Sequence, residues 1–213
     1  MKHLVREIKN KLARGRQEEF SPHFLETLHY ETPFFLFSKK KILSNYREFQ
    51  KLFPKPSIYY AMKANSEPGV LKILADAGSG FEVASKYELN MLKKIKVPPE
   101  KIIYGTSVKV ASHIKEFFNY GVNRFAFDSF PEIEKISALA PGSKVYVRTI
   151  ANDAGSIYKF SEKFGTDTAS IIPLLIRAKE VGLQPYGISF HVGSQASDAQ
   201  AWANVLVSLR SII

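Results

Sequence analysis

The 213-residue sequence contains no cysteine. That excludes disulfides, thiolate metal sites and a cysteine nucleophile together, and it fits a reducing compartment such as the cytosol. No apolar run approaches the roughly 18–20 residues needed to cross a bilayer. The opening stretch MKHLVREIKNKLARGR carries charge where a secretory leader needs an apolar run, so a soluble, cytoplasmic protein is expected. Neither GxGxxG nor GxxxxGK followed by Ser or Thr occurs, which removes the main support for the common dinucleotide and nucleotide phosphate loops. Acidic residues are also in deficit, 20 against 30 basic ones, for a net charge of +10.

The basic excess is uneven. Residues 1–16 hold Lys2, Arg6, Lys9, Lys11, Arg14 and Arg16 against Glu7 alone, a net +5, with Leu4, Val5, Ile8 and Leu12 at helical spacing. This reads as a basic amphipathic surface helix followed by a linker to residue 32. An anionic-surface role rests on this segment only, and the rest of the chain has no basic stripe of the kind that tracks nucleic acid. With 45% hydrophobic and 23% charged residues, the composition is that of a globular protein able to bury a core, not a disordered or fibrous chain.

From residue 57 onward short apolar runs alternate with longer stretches of helical periodicity. The runs at 57–62, 80–83, 101–104, 124–127, 144–150 and 186–191 read as strands. The stretches at 70–77, 85–94, 111–120, 131–140, 168–181 and 198–213 read as helices. Ser85 with Glu88 three residues on is a capping-box pattern, and Ser129 with Pro131 and Glu132 marks another helix start. Strands that are apolar nearly throughout, separated by helices, argue for a parallel α/β sheet covered on its faces. The repeat of about 20 residues suits a (β/α)8 barrel better than a doubly wound open sheet. Ahead of the repeat, 33–38 (PFFLFS) reads as a separate strand and 39–53 as a helix.

In a barrel, function belongs where strands end and loops begin. The polar residues there are Lys63, Glu82, Gly105 with Thr106 and Ser107, Asp128 with Ser129, Arg148, and His191 with Gly193 and Ser194. Lys63 follows an apolar and aromatic strand. Partial desolvation there would favour the neutral amine needed for a Schiff base, against the plainer reading of a strand-end lysine reaching into solvent. His191 can present a flat face to an aromatic ring, and Ser194 with neighbouring amides can hold phosphate oxygens; a hydrogen-bonded histidine in a tight turn is the plainer alternative. Arg148 requires an anionic partner, for which Glu82 and Asp128 are candidates. No metal site is expected.

The words YYAMKAN, GFEVASKYEL, FAFDS, VRT, EKFG and SFHVGSQ occur in this order and in register. Over residues 33–195 the chain thereby resembles the fold-type III pyridoxal-phosphate decarboxylases, a family of ornithine, diaminopimelate and arginine decarboxylases, and lies nearest the ornithine branch. The resemblance implies that Lys63 forms a Schiff base with pyridoxal phosphate, that His191 stacks on its ring and that Ser194 binds its phosphate. Glu82, Glu88 and Arg148 would line the ring edge, with 163–165 (KFG) near the opening. The family more often has Asp where this chain has Glu82.

The implied activity is decarboxylation of a basic amino acid, ornithine to putrescine in polyamine biosynthesis, with Lys63 and His191 as the catalytic pair. The alternatives are diaminopimelate or lysine decarboxylation, or a non-catalytic pyridoxal-phosphate-binding or regulatory relative. In the family the full-length form is a homodimer. Set against that form, 33–213 is expected to supply about six of eight barrel strands without the C-terminal β-domain, and so to be a weak or inactive catalyst by itself.

Overall fold

A computed structural model of the chain describes residues 20–31, 33–55, 57–151, 156–157, 163–210 and 212. The basic segment 1–16 lies outside the described residues. A short helix α1 (Pro22–Glu26) and helix α2 (Lys39–Leu52) precede a repeating unit. That unit runs β1 (Tyr59–Ala61), α3 (Pro68–Asp76), β2 (Gly80–Val83), α4 (Lys86–Lys94), β3 (Ile102–Tyr104) and α5 (Ala111–Tyr120). It continues with β4 (Arg124–Phe127), α6 (Phe130–Leu139), β5 (Lys144–Thr149), α7 (Ile171–Glu180), β6 (Gln184–Phe190) and α8 (Gln200–Leu209).

The six strands form one parallel sheet in the order β1-β2-β3-β4-β5-β6. Chain order without reversal decides between the two expected architectures. A doubly wound sheet must reverse to place helices on both faces, whereas parallel strands added in sequence by crossovers of one hand put every helix on one side, as in a barrel wall. Successive helices accordingly pack against one another, α2 on α3 and then α4 through α7 in turn.

Strand parity separates the two faces. Along β5 the pattern is strictly alternating: Val145, Val147 and Thr149 are buried, while Lys144, Tyr146 and Arg148 are half-buried. The buried set joins Phe81, Val83, Ile102, Tyr104, Phe125 and Phe127 under the helices, where Leu89, Leu92, Ile114, Phe117, Ile133 and Ile136 complete the core. The expectation of strands apolar nearly throughout holds for β1, β3 and most of β4, where Ala61, Ile103 and Ala126 take concave positions, and is corrected in β2, β5 and β6, where Glu82, Tyr146, Arg148 and Ser189 take them.

The N-terminal rim of this concave side is closed by Tyr59. Its ring covers Gly80, where a Cβ would come within 2.6 Å of it, and its hydroxyl accepts a hydrogen bond from Arg124 on β4. The other rim is left to the loops.

One further expectation needs correction. Residues 33–38 are not a strand. Among the described residues they pair with nothing, since β1 pairs only with β2, and Phe35 is 89% exposed. An apolar run without a ladder partner stays extended but irregular. The last helix is α8, and of its apolar stripe Val205 and Leu209 are buried while Trp202 and Leu206 are exposed.

Candidate active site at the strand C-termini

The candidate residues come from four strand ends, those of β1, β2, β5 and β6, with Glu88 added from the first turn of α4. Met62 continues the β1–β2 ladder by donating its N–H to the Glu82 carbonyl at 3.1 Å, and the chain then turns through Ala64 N–H to the Ala61 carbonyl at 3.0 Å. Lys63 sits in that turn and is exposed. The expected desolvation of its amine is thus not met: the lysine is carried by the turn beyond the strand, where water reaches it.

Glu82 is opposite Ala61 in register, on the concave face. Its carboxylate packs over Gly105, the residue after β3, where a Cβ would lie 2.6 Å from Glu82 Cδ and Cγ. A side chain at 105 would have to displace this carboxylate. Burial pushes the Glu82 carboxyl up, Lys63 opposes that shift, the neighbouring Glu88 charge adds to it, and Arg148 opposes it. Lys63, Glu82, Glu88 and Arg148 are thereby one electrostatic group although 85 positions separate the first from the last in sequence.

Glu88 also has a local task. Ser85 Oγ accepts the Glu88 N–H at 3.4 Å, and Glu88 Oε2 accepts the Ala84 N–H at 2.5 Å. This is the expected cap of α4, with the carboxylate reaching one residue further back than in the usual box.

Arg148 is brought beside Asp128 by the register. Phe127 pairs with Val147, so the next residues of β4 and β5 emerge together on the concave face. Burial lowers the Arg148 proton affinity, and Asp128 first and then Glu82 oppose that shift without cancelling it. Both candidate anions act on it through space, Asp128 more strongly, but among the described residues neither comes within ion-pair distance of its guanidinium. The guanidinium carbon also lies 5.3 Å from the centre of the Phe164 ring.

His191 and Ser194 follow β6. His191 Nδ1 accepts the Gly193 N–H at 3.0 Å, which leaves Nε2 to carry the proton in the neutral ring. Ser194 is half-buried, and its carbonyl accepts the Ile157 N–H at 3.2 Å. The concave rim thus presents, in strand order, an amine, a carboxylate, a guanidinium, an imidazole and a hydroxyl.

Sequence reading passed over Tyr146, which stands two residues before Arg148 on the same face and donates its hydroxyl to the Tyr104 carbonyl at 3.2 Å. Burial, and next the Glu82 charge, push its phenol well up, so it acts as a fixed donor. Period-two parity from Arg148 was the available signal.

Known proteins resemble the chain in sequence and in fold. The model of the pyridoxal-dependent decarboxylase family, pyridoxal binding domain, matches residues 39–213. The chain is 36% identical over 181 residues to the lysine/ornithine decarboxylase of Selenomonas ruminantium, covering 85% of this chain and 46% of that protein. It is 34% identical over 201 residues to antizyme inhibitor 2 of Xenopus laevis, covering 94% and 44%. The crystal structure of SrLDC in complex with PLP and cadaverine superposes with a TM-score of 0.84 at 35% identity, over 91% of this chain and 49% of that one. The chain spans about half the length of the curated relatives it matches. By its match, its strand order and its rim of residues, it belongs to the pyridoxal-dependent decarboxylase family and carries that family's pyridoxal-binding domain.

Proposed function

We propose that the chain holds pyridoxal phosphate for the decarboxylation of a basic amino acid, with ornithine as the preferred substrate and lysine or diaminopimelate as alternatives. The observation that carries this reading is the gathering of Lys63, Glu82, Arg148, His191 and Ser194 at one rim from β1, β2, β5 and β6. The donor set fits the cofactor: an accessible amine for its aldehyde, the Ser194 hydroxyl for its phosphate, and the flat His191 imidazole for its ring. The space over Gly105 that seats Glu82 keeps a carboxylate on the ring side. When bound, pyridoxal phosphate supplies the electron sink for the pair left as carbon dioxide departs.

The chain's own residues then have distinct tasks. Lys63 would hold the cofactor's aldehyde through its amine and, when that amine is free, would stand at the rim as a base or proton donor. Its exposure lets the substrate reach it. Arg148, with Asp128 and Glu82 around it, fixes the charge balance of the floor, so that the cofactor meets a preset field. His191 is oriented by the Gly193 N–H, which holds the ring in one tautomer.

A second reading is favoured by the match to antizyme inhibitor 2, a relative named for regulation instead of catalysis. In that case the same residues bind the cofactor, or once did, without turnover.

Adding pyridoxal phosphate to the folded chain is expected to give an absorbance band near the visible edge that borohydride fixes and Lys63→Ala abolishes. A folded sample without a band refutes the cofactor assignment. Carbon dioxide release from ornithine, lysine or diaminopimelate favours the decarboxylase reading over the regulatory one.

A further inference from the structure

Asp128 makes contacts that cofactor binding alone does not account for. The segment 164–166, following the loop after β5, returns to the end of that strand. Thr166 forms a parallel bridge with Thr149: its N–H donates to the Arg148 carbonyl and its carbonyl accepts from Ile150 N–H, both at 2.9 Å. At Thr149 the other edge of β5 is already taken by Phe190 of β6. The returning segment therefore occupies the edge that β4 leaves when it ends at Phe127, directly beside Asp128.

Two consecutive residues of that segment are held by two neighbouring charges. Asp128 Oδ2 accepts the Gly165 N–H at 2.9 Å, and Arg148 lies against the Phe164 ring. Gly165 has φ +109°, and a Cβ there would meet Ile150 N and the Thr149 carbonyl carbon at 2.9 Å, so the backbone comes as close as a glycine permits. The carboxylate thus has two roles. It fixes the loop base, and, set beside Arg148 by the β4–β5 register, it is the first of the charges that oppose the effect of burial on that guanidinium.

We infer that Asp128 is a positioning residue of the site, which locks Phe164–Gly165 against β5 and through the same carboxylate orients the Arg148 guanidinium toward the bound cofactor. The inference rests on the proposed cofactor function for its second half only. Loss of the carboxylate frees the loop base, and loss of its charge alone releases Arg148.

The test compares the full chain with Asp128→Ala and Asp128→Asn, using amide hydrogen exchange at Gly165 and absorbance titration with pyridoxal phosphate. Asp128→Ala is expected to speed Gly165 exchange and weaken cofactor affinity, each roughly tenfold, the scale of a lost charge-assisted hydrogen bond, with β4 and β5 amides still protected. Asp128→Asn keeps an acceptor oxygen and is expected to restore Gly165 protection but not affinity. A folded Asp128→Ala protein with Gly165 exchange or affinity within twofold of wild type overturns the inference. Should Asp128→Ala fail to fold, Asp128→Asn decides: wild-type affinity overturns it, and a loss of fivefold or more supports it. Should the wild-type chain show no cofactor band, the functional reading falls, and Gly165 exchange in the two variants still decides the positioning role.

Discussion

Lys109 Nζ lies 3.0 Å from Glu132 Oε1 in a buried ion pair whose side chains are 0% and 4% exposed. The ammonium also donates to the carbonyls of Thr106 at 2.9 Å, Ser107 at 3.0 Å and Ala126, while Glu132 Oε1 accepts the Lys109 backbone N–H and Lys135 holds Oε2 at 2.6 Å. One side chain therefore staples the loop after β3 to the end of β4, next to Gly105 and Asp128.

Breaking this pair from one side is expected to be costly. Glu132→Ala leaves a buried ammonium without its carboxylate and should lower unfolding free energy by about 3–5 kcal/mol in urea titrations. The double variant Lys109→Met with Glu132→Leu should lose clearly less than the two single losses combined. Additive losses would show that the two groups do not act as a pair.

The same pair gives a pH signature. Burial lowers the Lys109 amine from 10.5 to about 8, with Glu132 opposing the shift. The unfolded chain thus binds this proton more tightly, and between about pH 8 and 10.5 it holds more of it than the folded chain does. This group's contribution to stability rises with pH across that window and is flat below it. Relative to Lys109→Met, wild type is expected to gain up to about 3 kcal/mol from pH 8 to 10.5, measured by denaturant unfolding at each pH. A difference that falls with pH would contradict the burial argument.

The fit of Glu82 over Gly105 predicts a compensating pair. Gly105→Ala places a methyl where the carboxylate sits, and is expected to weaken pyridoxal phosphate binding about tenfold, near 1.4 kcal/mol. Shortening the acid with Glu82→Asp in the same chain should recover most of that loss. An absorbance titration of the four proteins reads the coupling directly.

Glu88 can be divided between its cap and its place beside Glu82. Ser85→Ala removes the acceptor for the Glu88 N–H and is expected to cost about 1 kcal/mol of stability with unchanged cofactor affinity. Glu88→Gln keeps an oxygen for Ala84 N–H but removes the charge that pushes Glu82 up, so affinity should change while the melting temperature moves little. Identical effects of both variants on affinity would mean that Glu88 acts only through the cap.

Much of the repeat was legible because local signals and tertiary demand agree there. The runs GFEV and RFAF fill β2 and β4 to the residue, flanked by glycine, caps and charged turns. The failures share a cause. PFFLFS has strand-like residues, but a strand needs a partner, and pairing is not written in the run itself. Lys63 was placed by its apolar neighbours on the chain, whereas its exposure is set by the turn that follows. Lys109 and Glu132 carry the charges of surface residues, and only the meeting of the loop after β3 with the first turn of α6, 23 positions apart, buries them. Of the site, Lys63, Glu82, Arg148, His191 and Ser194 stood out because each ends a strand. Tyr146 did not, since an aromatic inside a strand reads as core unless the face it occupies is known.

The unbroken strand order bears on how the site comes into being. Each strand docks beside the one made just before it, so the wall can grow in step with synthesis, without waiting for a distant segment. Lys63 arrives with the first strand, Glu82 with the second, Arg148 with the fifth, and His191 and Ser194 only after the sixth. On the proposed reading, a nascent wall holds the Lys63 amine long before the imidazole and hydroxyl that would retain the cofactor, which would make cofactor capture a late event tied to the completion of β6.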